Sequence, residues 1–245
     1  MKKNTNYDNQ EQASYQDQIT QKDLMVTPGL YHNLRDNGYN KLRVIWIDEV
    51  ISQRTVAKHI KALNFWNDGS KLPVYIYISS LGGECSVGFA LIDFIEALKK
   101  NGVPVYTIAY GEIASMASVI YMTGTDGCRI SMPNARFMFH GSRVSYATDL
   151  TVETAEFLKN ELKRINNNMK KYLINKINIK KPKSKSKSKS KSKKFKTIDK
   201  KELINLMISE DIYFSAKELE NLGIVDSVSS FTINDILLRN MPNQD

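Results

Sequence analysis

From Lys41 onward, short apolar runs of β character alternate with stretches whose apolar residues recur at helical spacing. LRVIWI (Leu42 to Ile47) and VYIYIS (Val74 to Ser79) read as strands. Between them, the stretch after Ser52 predicts a helix with Val56, Ile60 and Leu63 on one face. Beyond the turn at Leu81-Gly82-Gly83, the positions Val87, Ala90, Leu91, Phe94, Ile95 and Leu98 define a helix with a wide apolar face. VPVYTIA (Val103 to Ala109) predicts a strand, SMASVIYM (Ser115 to Met122) a short buried helix, and ARFMFH (Ala135 to His140) a strand that ends on a histidine. Leu158, Leu162, Ile165, Met169 and Leu173 then mark a long helix from Thr151 to about Lys176, with acids early and lysines late as the macrodipole prefers. Ser215-Ala-Lys-Glu218 is a capping box opening a helix that Gly223 closes, and Ile224-Val225 starts a last strand. The alternation is that of an α/β domain.

The flanks lack such periodicity. Residues 1–40 are polar and predict a flexible arm, 41–230 the folded domain, and 231–245 a C-terminal tail. The formal net charge of +9 would suggest an anionic partner if it were spread over a folded face. It is local: residues 180–196 (KKPKSKSKSKSKSKKFK) hold ten lysines and no acid, which leaves the remainder nearly neutral. Alternating like charges cannot bury anything, so this stretch predicts a disordered insertion with no task; recruitment of an acidic partner or nucleic acid is its less favoured alternative. Cys85 and Cys128 are too few for a disulfide framework and lack metal-knuckle spacing, which fits a reducing compartment. No leader-like apolar segment follows the first lysines and no stretch approaches a membrane span, so the expectation is a cytoplasmic protein.

Three places carry candidate chemistry. Gly82-Gly83 lies at a strand-to-helix turn, where glycines let backbone N–H groups point at an oxyanion; a tight turn with no ligand is the competing explanation. Ser115, in GEIASMAS, opens the short buried helix, so its hydroxyl lies near the positive end of the dipole and Met116 N–H is free to donate. A plain helix cap would account for the same serine. His140 is one of three histidines and follows Ser115 by 25 positions; a structural histidine at a strand end is the alternative.

Taken together, YIYISSLGGE, GEIASMAS, MPNARFMFH and EDIYFSAKELENLGIVD resemble, in the same order, the proteolytic subunit of the Clp (caseinolytic) ATP-dependent protease. The resemblance spans about Leu42 to Val228. It implies a ClpP/crotonase-like spiral of β-β-α units with a projecting handle helix. It also implies a serine endopeptidase with Ser115 as nucleophile, His140 as base and Asp211 as the residue orienting the base. Gly83 and Met116 correspond to the oxyanion-hole donors, and Tyr75 and Tyr77 to a groove that docks a partner. Asp226 is the nearest rival to Asp211. The implied partners are further copies of the subunit in stacked seven-membered rings, an AAA+ unfoldase and unfolded polypeptides. No cofactor is implied, since the partner consumes ATP, and a plastid stroma is the alternative location to the cytoplasm.

The chain departs from that family where proline usually precedes the double glycine and glutamine-proline follows the histidine: Leu81 and Gly141-Ser142 stand there. The segment from His140 to Thr148 is also short and lacks the usual glycine-rich run. Two other functions remain open at this point. One is an inactive ring subunit. The other is an acyl-CoA enzyme of the crotonase type, which shares the glycine-rich turn but relies on carboxylates.

Overall fold

The computed structural model describes residues 43–144, 151–177 and 199–229. The polar arm, the whole Lys-Ser insertion (residues 180–196) and the C-terminal tail lie outside the described residues. The chain divides into two compact units, Met1–Ile45 and Trp46–Asp245; of the first, only Arg43 to Ile45 are described, and the account below concerns the second.

Strand β1 (Arg43–Ile47) carries Trp46 and Ile47 into the larger unit. Helix α1 (Gln53–Trp66) opens on a capping box in which Ser52 and Thr55 bond each other's backbone. Its buried residues are Val56, His59, Leu63 and Trp66. The expected stripe therefore holds except that His59, rather than Ile60, turns inward. Strand β2 (Val74–Ser80) leads into α2 (Cys85–Lys100), which buries Val87, Gly88, Leu91, Ile92, Ile95 and Leu98. Ala90 and Phe94, expected on that face, are half-buried. The chain returns as β3 (Val105–Ala114), parallel to β2, so β2-α2-β3 is a crossover unit with its helix packed on the sheet.

β3 is longer than the apolar run that predicted it, and the reason is a break in register. Ile78 pairs with Ala109, but Ser80 pairs with Ile113, so extra residues around Gly111 (φ 65°) bulge out of β3. Bulges of this kind re-aim a strand. The half before the bulge pairs with β4 (Arg129–Ser131), and the half after it pairs with β5 (Arg136–Phe139), both in parallel. β5 in turn pairs antiparallel with β6 (Ile212–Ser215), and β4 pairs in parallel with β7 (Ser227–Val228). The central order is β1-β2-β3-β4-β7, with β5 and β6 branching from the second half of β3.

Between β3 and β4 sits α3 (Met116–Tyr121), whose six residues are all buried. α4 (Val152–Lys176) is the expected long helix, capped by Thr151, yet only Met169 and Leu173 on it are buried. Its N-terminal turns leave Val152 and Phe157 exposed. α5 (Lys200–Ser209), capped by Asp199, and α6 (Ala216–Asn221), opened by the expected Ser215/Glu218 box, complete the described elements. The closing strand begins at Ser227 rather than Ile224, because Gly223 to Asp226 form a turn that delivers Asp226 to β4.

Candidate active site

One residue, Ser115, connects the end of β3 to the start of α3. It makes the turn at φ 55°, ψ −125°, a backbone region that costs a non-glycine residue about 1–3 kcal/mol. A serine that merely caps a helix has extended backbone and accepts an N–H from the first turn. Ser115 does neither, since its side chain makes no cap hydrogen bond. Ser115 thus heads the helix without its hydroxyl capping it. Its own N–H donates to Met138 O at 2.9 Å, tying the turn to β5. The fully buried Ser118 hydroxyl lies 2.8 Å from Ile113 O and 2.9 Å from Met138 O, sharing its proton between the two strands beneath the turn.

The double glycine packs directly against this turn. A β-carbon on Gly82 (φ 92°) would lie 2.7 Å from Ser115 Cβ and 2.7 Å from Ala114 O. One on Gly83 (φ 154°) would lie 2.1 Å from Ile51 O. Both positions are therefore closed to any side chain. Ile51 N–H donates to Gly82 O at 2.9 Å and Glu84 N–H to Ile51 O at 2.8 Å. In this bridge the peptide groups on either side of Gly83 do the bonding, so Gly83's own N–H points away from Ile51. Met116 N–H is the first of the helix and has no intrahelical acceptor. The Met116 side chain is buried against Gly88 of α2, where a β-carbon would come within 2.3 Å of it, and this contact fixes the peptide from the other side.

His140 follows β5, and Asp211 precedes β6. The β3/β5 ladder pairs Ala114 with Met138, and the β5/β6 ladder pairs Phe139 with Ile212. Ser115, His140 and Asp211 therefore leave the same end of three adjacent strands, with His140 and Asp211 at the next opposing positions. The side chains do not complete a relay. Nδ1 of His140 is buried and has no hydrogen-bond partner among the described residues. The Asp211 carboxylate instead accepts from the guanidinium of Arg143. Burial, and then the Arg143 charge, hold the His140 imidazole below its usual range, while Asp211 and the Gly141 backbone pull the other way. Arg143 is a site neighbour that sequence reading missed; a lone arginine three residues past the histidine carries no motif.

Asp226, the rival aspartate, is fully engaged elsewhere. Its carboxylate accepts from Arg129 Nε at 2.9 Å and Nη2 at 2.8 Å, and from the N–H groups of Gly127 and Arg129 at 2.9 and 3.0 Å. It ties β4 to the closing turn. Tyr75 and Tyr77 are both buried in an aromatic row formed by β1, β2 and β3: Tyr75 stacks on Tyr106 at 4.9 Å, and Tyr77 on Trp46 at 4.3 Å. Tyr110 meets Trp46 edge-on at 5.7 Å, and it is Trp46, Tyr106 and Tyr110 that are half-exposed. Among the described residues, no cluster of histidine, cysteine and carboxylate side chains is arranged to hold a metal ion, and no helix is long and apolar enough to cross a membrane.

A comparison with known families matches residues 33–231 to the Clp protease family. The chain belongs to that family. It is 28% identical over 216 residues to the ATP-dependent Clp protease proteolytic subunit 1 of Chlamydia muridarum, covering 84% of this chain and 97% of the relative. The subunit 1 of Chlamydia pneumoniae is 27% identical, over 86% of this chain and 100% of its own. A proteolytic subunit 2 from Prochlorococcus marinus subsp. pastoris is 30% identical, over 67% of this chain and 70% of its own.

As a Clp protease family member, the chain replaces the expected proline with Leu81, which is exposed. The turn keeps its shape by other means: Ser80 Oγ donates to Glu49 O at 2.6 Å and accepts Gly82 N–H at 3.2 Å, alongside the two Ile51 bonds. His140 is followed by Gly141, whose lack of a side chain has a steric reason: a β-carbon there would lie 2.4 Å from Ile208 O of α5. Ser142 then anchors the segment to α4, its N–H and hydroxyl each 2.8 Å from Asn166 Oδ1.

Proposed function

We propose that the chain is the proteolytic subunit of an ATP-dependent Clp-type protease, a serine endopeptidase acting through Ser115, His140 and Asp211. The observation that carries the reading is the left-handed backbone of Ser115 at a strand-to-helix junction, held against a turn where only glycine fits. Strain of this kind persists where the surrounding structure enforces it, and presenting a nucleophile at the head of a helix is a use for it.

In this reading Ser115 Oγ attacks the peptide carbonyl and His140 accepts its proton, later passing it to the departing amine. Gly83 and Met116 N–H donate to the oxyanion of the tetrahedral intermediate, at the positive end of α3. Water, deprotonated by His140, then releases the acyl group. Asp211 would hold the imidazole in the tautomer that presents Nε2 to the hydroxyl. The residues need no cofactor for bond cleavage.

The assembly follows from the family: copies of this subunit in stacked seven-membered rings, fed with unfolded polypeptide by an AAA+ unfoldase. The aromatic row containing Tyr75 and Tyr77 is the candidate docking region for that unfoldase, with the buried pair supporting the half-exposed rings. Both described cysteines are free, which suits the cytoplasm.

A fluorophosphonate probe tests the reading. Covalent labelling mapped to Ser115 in assembled protein, with loss of peptide cleavage but not of assembly in Ser115→Ala, is the expected result. The engagement of Asp211 by Arg143 favours a second reading, an inactive ring subunit; absence of labelling together with intact rings would select it.

A further inference from the structure

We infer that Arg143 is a positioning residue that restrains the site, holding Asp211 away from His140 until the ion pair is released. The inference rests on the assignment of Ser115, His140 and Asp211 made above. Three observations carry it. The Arg143 guanidinium donates to Asp211 Oδ1. His140 Nδ1 is buried with no partner among the described residues. The β5/β6 ladder, paired through Phe139 and Ile212, brings His140 and Asp211 to its next opposing positions.

One carboxylate is thus within the reach of two donors and serves the wrong one for catalysis. Guanidinium is always charged and presents a fork of donors, so it competes well for a carboxylate against a neutral imidazole N–H. A buried nitrogen left without a partner is penalised, however, so the imidazole side favours a switch. The competing side is weak, because the Arg143 and Asp211 side chains are 61% and 45% exposed and solvent screens them. The backbone around Arg143 is the fixed part. Gly141 lies under the Ile208 carbonyl, and Ser142 is bonded to Asn166 of α4. Releasing Asp211 therefore needs only side-chain motion. The charged and polar groups acting on His140 are Arg143 from its own segment, Asp211 from the segment before β6, and the Gly141 backbone.

The test compares wild type, Arg143→Gln and Arg143→Lys in assembled protein, using a short uncharged peptide and the fluorophosphonate probe. Arg143→Gln is expected to raise kcat/KM at low ionic strength by about two- to fivefold, the scale of an exposed ion pair. Its acid limb should move to higher pH, since losing a cation and giving Nδ1 a carboxylate both favour the imidazolium. Added salt should bring wild type toward the variant and leave the variant flat. Arg143→Lys, retaining the charge, should stay near wild type. Labelling of Ser115 in wild type with an Arg143→Gln rate equal to or below it would overturn the restraint and leave the nucleophile standing. Absence of labelling in both proteins overturns the serine assignment, and the restraint with it.

Discussion

Gly82 and Ser115 are in such close approach that a β-carbon on the first would lie 2.7 Å from the β-carbon of the second. The turn after β2 and the turn after β3 are consequently one packed unit. Whatever positions the serine also positions the neighbouring amide donors, and neither can shift alone.

Gly83→Ala tests that unit directly. The added carbon would meet Ile51 O at 2.1 Å, a backbone atom that cannot rotate away. The turn must move, and turnover should fall on the order of 10²- to 10³-fold, as for loss of one oxyanion donor. Steady-state peptide cleavage checks this; an unchanged kcat would show that the amide has no part in the reaction.

Substitutions at Ser115 separate strain from chemistry. Ser115→Ala and Ser115→Gly should both lose peptide cleavage and probe labelling. Glycine tolerates the backbone at φ 55° and alanine does not, so the glycine variant should be more stable than the alanine variant by about 1 kcal/mol. Chemical denaturation of the two variants measures the difference, and equal stabilities would mean the serine backbone is unstrained.

The pH dependence of kcat/KM should reflect His140. A general base must be unprotonated, and burial followed by the Arg143 charge lowers the pKa of this imidazole. The acid limb of wild type is therefore expected below the usual histidine value of about 6.5. A limb at or above that value would mean that His140 is already paired with a carboxylate in the working enzyme.

Asp226 is expected to matter for stability rather than catalysis. Its partner Arg129 is 2% exposed and also donates to Lys176 O and Gly223 O. Asp226→Ala would remove the closest carboxylate from that buried cation, leaving it the two carbonyls and the more distant Asp126, at a cost of about 3 kcal/mol or roughly 6–12 °C in Tm. Burial alone would raise this carboxyl, but the hydrogen bonds and charge of Arg129, with Gly127 N–H, hold it below the usual range. The sign follows: its contribution is complete above the unfolded aspartate pKa of about 3.9 and is lost as pH falls through the lower folded value. Thermal unfolding from pH 6 to pH 2 should show wild type losing stability in acid more steeply than the variant.

The elements with long periodic patterns were legible in the sequence. α2 and α4 follow from residues three and four apart, and the Ser215/Glu218 box from two side chains that need only each other's backbone. β4 was not legible, because Arg129-Ile-Ser131 is too short to show alternation and exists through its pairing with β3 and β7. The inward turn of His59 and the long reach of β3 likewise depend on distant neighbours.

Residue types and local spacing determined which groups are present: a serine at the head of a buried helix, a histidine ending a strand, a pair of glycines in a turn. Those are properties of neighbouring residues, so the sequence carries them by itself. Tertiary structure decided what each group faces. It gave Ser115 its left-handed backbone, assigned Asp226 to Arg129, and gave the Asp211 carboxylate to Arg143, because these outcomes depend on strand register and on competition among groups far apart in the chain.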